Sequence, residues 1–171
     1  MTGLPLPIVQ VIERVLRALK NEGCPAALVG GCAVTLRSGV ATRPVRDVDI
    51  YCPDRERPIS ILSAEGYRQV DGNKFQCGNV IVDIMHPDLP RMTKTNRALL
   101  DRCLGRQSPV AAVASGSTVT VLMCPTTSAL LLLKLYSAGR RTMWLTRRHD
   151  LGDAVTLATR VRPFRPMRRH V

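Results

Sequence analysis

Apolar positions Ile8, Ile12, Val15, Leu16 and Leu19 recur at helical spacing, which predicts an amphipathic helix over about residues 7–22, ended by Gly23 and Pro25. The apolar run 27–29 then meets Gly30-Gly31 and resumes through Leu36, the pattern of a short buried strand, a tight turn and a helix start. After Ser38-Gly39 and Arg43-Pro44, the pattern changes period: Asp47, Val48, Asp49 and Ile50 alternate, which predicts a strand stopped by Pro53, with a short helix at 58–65 beyond it. Residues 74–77 and 79–85 read as a hairpin turning at Cys77-Gly78-Asn79. A further strand is expected at 119–123. It precedes a helix over 128–141 that begins near Pro125 and is capped by Thr126, Thr127 or Ser128.

The alternation gives the acids their meaning. Asp47 and Asp49 share one face of their strand, while Val48 and Ile50 face the apolar layer. Two carboxylates on one face repel unless a cation lies between them, and hard oxygen donors of this kind suit Mg²⁺ or Mn²⁺ sharing its remaining positions with phosphates. Asp83 interrupts the apolar run Val80-Ile81-Val82-Asp83-Ile84-Met85, where a charge is costly unless paired or metal-bound; a neighbouring strand would bring it beside the other two. Glycines at a strand-to-helix turn let backbone approach a ligand, and the N–H groups of a helix start favour phosphate, so Gly30 and Gly31 are candidates for binding a nucleotide. Any one of these acids alone would read equally well as a solvated strand end, and a Gly-Gly turn alone would read as steric economy.

Taken together, Val29-Gly30-Gly31, Asp47-Val48-Asp49 and Val82-Asp83-Ile84 resemble the DNA polymerase β nucleotidyltransferase superfamily. Its signature is a Gly-Gly or Gly-Ser turn, an acid-x-acid strand and a third acid on a later strand. Within it, the stretch from Leu28 to Ile50, with Arg43 ahead of Asp47, is similar to the small AbiEii-toxin-like and minimal nucleotidyltransferases. Lys134, Arg140, Arg141 and Asp150-x-x-Asp153 resemble the helical pattern that closes the catalytic domain of this family.

The resemblance, which covers roughly residues 28–157, implies an α/β (α+β) fold, a small mixed β-sheet flanked by helices, and a chain of 171 residues fits one domain, expected over residues 1–159. It also implies transfer of a nucleoside monophosphate from an NTP to an acceptor hydroxyl, with pyrophosphate leaving. On this reading Asp47, Asp49 and Asp83 hold the metal ions, Asp83 also assists deprotonation of the acceptor, and Gly30, Gly31, Arg43, Lys134 and Arg141 serve the nucleotide. The bland alternative for Lys134 and Arg141 is a solvated cationic helix end. For Asp150 and Asp153, three apart on a helix, pairing with Arg147 or Arg148 is the better expectation. His86, in the loop His86-Pro87-Asp88-Leu89-Pro90, is expected to be solvated.

Composition narrows the partners. A net charge of +12, from 25 Lys and Arg against 13 Asp and Glu, favours polyanions, whether nucleic acid, NTP or an acidic surface; as acceptor it favours RNA, and the resemblance to the toxin-like relatives implies a tRNA 3′ end. Aromatics are only 4%, so RNA contact is expected to be directed at phosphates rather than at stacked bases. Arg160, Arg162, Arg165, Arg168 and Arg169, broken by Pro163 and Pro166, predict a basic tail over 160–171. The six cysteines form no C-x-x-C pair, which argues against structural zinc and for reduced thiols, with a cytoplasmic or nuclear location expected and no membrane span. Two other readings stay open: a small antibiotic nucleotidyltransferase, and a basic nucleic-acid-binding protein that keeps the fold without activity.

Overall fold

A computed structural model of the chain describes residues 3–90, 92–115 and 118–160. The chain enters through α1 (Leu6–Asn21), whose stripe Ile8, Ile12, Val15 and Leu19 is buried. It continues through β1 (Ala27–Leu28), α2 (Gly30–Ser38), β2 (Asp47–Tyr51) and α3 (Glu56–Ala64). Asp54 Oδ1 accepts the backbone N–H groups of Glu56 (2.9 Å) and Arg57 (3.1 Å), and this cap starts α3 ahead of the expected 58.

β3 (Arg68–Asp71), β4 (Lys74–Cys77) and β5 (Val80–Met85) follow, then α4 (Lys94–Gly105), β6 (Gln107–Ser115), β7 (Thr118–Pro125), α5 (Thr127–Arg140) and α6 (Trp144–Ala158). Thr93 caps α4 by accepting the N–H of Asn96 at 3.1 Å. β3, α4 and β6 carry no strong periodic signal and are additions to the elements read from the sequence. The arginine- and proline-rich tail expected beyond residue 160 lies outside the described residues.

The main sheet has the order β1-β2-β5-β4-β3. β2 and β5 run parallel, and every other neighbouring pair in it is antiparallel, so the sheet is mixed as expected. β2 and β5 lie at its centre, and Val48, Ile50, Val82 and Ile84 from them are fully buried. Burying one face this way fixes the strand register, because a one-residue slip would send these four side chains to the opposite face. The same register sends Asp49 and Asp83 to that opposite face.

β6 and β7 form a separate two-stranded ribbon. Its root is tied down by Arg37 of α2, whose Nε donates to the Pro125 carbonyl (2.9 Å) and whose Nη2 donates to the Ser108 (3.0 Å) and Cys124 carbonyls. A lone hairpin is marginal in water, and these charge-assisted bonds together with packing on α2 and β1 anchor it. Among the described residues no helix is long and apolar enough to cross a membrane. All six cysteines are free thiols, and every one but Cys77 is buried.

Candidate active site

The parallel pairing of β2 with β5 sets Asp49 directly opposite Asp83, and Asp47 opposite Ile81. Along β2 the alternation is as expected: Asp47 is exposed, Asp49 is partly buried, and Val48 and Ile50 are in the core. Burial foremost, then the nearby charges of Asp47 and Asp83, push the Asp49 carboxyl up to about 6, against the opposing pull of Lys134 and Arg43. Burial likewise raises Asp83, where Lys74 is the largest opposing influence.

Asp83 is held from two sides. Asn73, in the turn between β3 and β4, donates from Nδ2 to Asp83 Oδ1 and to the Ile84 carbonyl (2.8 Å). Lys74 Nζ lies 3.9 Å from Asp83 Oδ2. Neither residue stands out in the sequence: Lys74 is only the first position of the strand read over 74–77, and β3, on the other side of the turn, carries no periodic signal.

Gly30 has a reason to be glycine beyond the turn. Its φ is +65°, and a Cβ there would overlap Asp49 Oδ2 and sit 2.7 Å from Asp49 Cγ. The carboxylate therefore occupies the space that any side chain at 30 would need, at the start of α2 where backbone N–H groups lack intrahelical partners. A Cβ at Gly31 would meet the Arg43 guanidinium at 3.0 Å. Arg43 is thus packed over the turn, and its buried Nε has no hydrogen-bond partner.

Lys134 comes from α5 and is buried, with Nζ 2.9 Å from Asp150 Oδ1 and 2.8 Å from Asp153 Oδ2. Asp153 Oδ1 also accepts from Thr42 Oγ1 at 2.7 Å, which ties α6 to the loop carrying Arg43. Arg141, just past α5, reaches Asp150 Oδ2 from the solvent side at 3.3 Å. This corrects the expected pairing of Asp150 and Asp153 with Arg147 or Arg148. Both acids turn inward toward α5, while Arg148 lies over the Trp144 ring at 5.3 Å. His86 is corrected as well. It is buried rather than solvated, its Nδ1 stands 4.0 Å from Asp88 Oδ2, and burial lowers its pKa.

The structure therefore brings Asp47, Asp49, Asp83, Gly30, Gly31 and Arg43 to one place. Lys134 is near enough to lower the Asp49 pKa, whereas Arg141 stands on the outer side of the buried Lys134 cluster. Among the described residues no three His, Cys, Asp or Glu side chains converge as a preformed metal cluster. The donor set nonetheless fits Mg²⁺ or Mn²⁺. Such ions commonly take one or two carboxylates and complete their shell with water and phosphate, and a divalent cation would offset the burial that chiefly raises Asp49 and the repulsion from Asp47 and Asp83 that adds to it. Two surface cavities, lined in part by Arg14, Cys77 and Gly78, lie away from the acids.

No family model matches the sequence, and neither does any curated protein. Solved structures do resemble the fold. ANT(2")-Ia in complex with adenylyl-2"-tobramycin aligns with a TM-score of 0.60 at 20% identity, over 91% of this chain and 90% of that one. An antigenic nucleotidyltransferase-like protein from Paracoccidioides brasiliensis aligns at 0.60 and 16% identity, over 92% and 78%. The lincosamide antibiotic adenylyltransferase LnuA, lincomycin-bound, aligns at 0.50 and 16%, over 92% and 98%. The five-stranded mixed sheet with its flanking helices is the nucleotidyltransferase fold.

Proposed function

We propose that the chain is a metal-dependent nucleotidyltransferase of the small, AbiEii-toxin-like or minimal type. It would move a nucleoside monophosphate from an NTP to an acceptor hydroxyl, most suitably on RNA. The observation that carries the reading is the placement of Asp49 opposite Asp83 on parallel strands, with Asp49 lodged against Gly30 at the start of α2.

In this reading Asp47 and Asp49 hold Mg²⁺ or Mn²⁺, with Asp83 as a third ligand, and the bound ion supplies charge neutralisation for the phosphates. Gly30 and Gly31 leave room for the triphosphate to approach backbone, and Arg43 offers it a guanidinium. The acceptor oxygen attacks the α-phosphorus, the α–β phosphoanhydride bond breaks, and pyrophosphate leaves with the bonding electrons. Asp83, steadied by Asn73 and Lys74, takes the hydroxyl proton. Lys134 is already met by two carboxylates, so it acts on the site mainly by its field on Asp49 and by tying α5 to α6. Arg141 would add charge at the outer edge.

The net charge of +12 supports a polyanionic acceptor, since the approach of RNA is favoured at long range and that of a polycationic drug is opposed. A small-molecule hydroxyl is the second reading, favoured by the likeness to ANT(2")-Ia and LnuA over nearly the whole chain. The two separate in one assay: pyrophosphate release from each NTP with Mg²⁺ or Mn²⁺, in the presence of total RNA, of an aminoglycoside or of a lincosamide. RNA-dependent release supports the first acceptor and drug-dependent release the second. No release under any condition, with no metal binding, leaves the fold as a non-catalytic nucleic-acid binder.

A further inference from the structure

Helix α6 is apolar on two faces, and only one of them is used by the fold. Asp150, Asp153, Ala154 and Leu157 face inward and are buried, chiefly against α5. Trp144, Arg148, Leu151 and Val155 recur at spacings of four, three and four residues. At roughly 100° per residue they form one narrow stripe on nearly the opposite side of the helix. The stripe faces solvent: Trp144 is 68% exposed, Val155 64% and Leu151 42%. Gly152 borders it on one side, and the exposed Arg147 and Ala158 border it on the other.

This four-three-four alternation is the register in which a second helix packs along a seam, knobs into holes. The electrostatics of the surface select the kind of helix. Over residues 127–160 the only carboxylates are Asp150 and Asp153, and both are buried against Lys134. The end of α5, the residue just past it and the first turns of α6 carry Arg140, Arg141, Arg147 and Arg148. A second copy of this chain would bring no exposed carboxylate from its own α5–α6 surface to meet those arginines, because its Asp150 and Asp153 are buried. RNA would find Arg148 already over the Trp144 ring and two aliphatic side chains beyond it, a poor surface for stacking bases.

We propose that the outer stripe of α6 is a docking surface for an amphipathic, acidic helix of a partner protein. Leu151 and Val155 form its centre, and Trp144 with its arginines forms the basic end that sets the direction of docking. The proposal does not depend on the reaction assigned to the acids.

The chain has a single tryptophan, and it lies in the stripe, so intrinsic fluorescence reports on this face directly. The full protein would be titrated with a synthetic peptide about three heptads long, carrying leucine at the seam positions and glutamate beside them. The same pattern with lysine, vesicles of phosphatidylserine with phosphatidylcholine, and single-stranded RNA would be titrated in parallel. The expected result is a saturable blue shift of Trp144 with the acidic peptide only, weakened at least tenfold by Val155→Glu. Leu151→Gln would replace that variant if circular dichroism shows it misfolded. Four results would overturn the proposal: no shift, an equal shift with the lysine peptide, a shift only with vesicles or RNA, or undiminished binding by the variant. An emission shift on concentrating the protein alone would assign the face to self-association and overturn it too.

Discussion

Asp49 of β2 and Asp83 of β5 face each other across parallel strands, and each is raised in pKa by burial. Two half-buried acids side by side are destabilising in themselves and are kept in register by a fully apolar layer behind them. That is the arrangement expected where stability is given up for a charged ligand.

The pH dependence of stability follows from the sign of the shift. With a folded value near 6 against an unfolded value near 4, Asp49 binds its proton more tightly when folded, so stability is lost as pH rises from about 4 to about 6 and the loss is complete above that. In metal-free buffer at pH 7.5, Asp49→Asn should therefore melt higher than the native chain, by a few degrees, for a relief on the order of 2 kcal/mol. The gap should be less than half as large near pH 4.5. Thermal melts at both values check it, and an Asn variant that is less stable at neutral pH would contradict it.

Added Mg²⁺ or Mn²⁺ should raise the melting temperature of the native chain in a saturable way, by mass action on the folded state. Asp49→Asn and Asp83→Asn should lose most of that response. Chelation of metal should abolish nucleotidyl transfer and readdition should restore it. A melting temperature indifferent to both ions would count against the donor set.

Gly30→Ala should be far worse than an ordinary surface change. It places a Cβ at positive φ, costing about 1–2 kcal/mol, and displaces the Asp49 carboxylate besides. The expected outcome is a folded protein with a modestly lower melting temperature and transfer reduced by orders of magnitude. Gly139→Ala, in α5 where a Cβ meets open space, serves as the control and should leave transfer unchanged and the melting temperature equal or slightly higher.

Lys134→Met should cost about 3–5 kcal/mol, because it strands the buried carboxylates of Asp150 and Asp153. Arg147→Ala, on the exposed surface of α6, should be within about 0.5 kcal/mol of the native chain. Denaturant unfolding of the two variants separates the inward pairing found here from pairing with the nearby arginines.

The central strands were legible in the sequence because their physics is local. Alternation in 47–50 and the acid inside 80–85 reveal a buried face and an opposing polar one, and burial of Val48, Ile50, Val82 and Ile84 follows. β3 was not legible, since all four of its residues are exposed on a sheet edge and show no alternation. α4 buries only Leu100 and Cys103, too little for a periodic signal. Partners distant in the chain were the other loss. That Lys134 meets Asp153, that Thr42 meets the same carboxylate and that Asn73 holds Asp83 are consequences of packing between elements, which spacing along one helix or strand does not encode.

The most direct measurement is transfer of label from α-phosphate-labelled NTPs, each in turn with Mg²⁺ or Mn²⁺, by the native chain, Asp49→Asn and Asp83→Asn, with total RNA present. The account predicts label in the RNA from the native chain and a loss of at least a thousandfold in both folded variants, consistent with removal of a ligand for the reacting phosphates. Equal labelling by native chain and variants would contradict it.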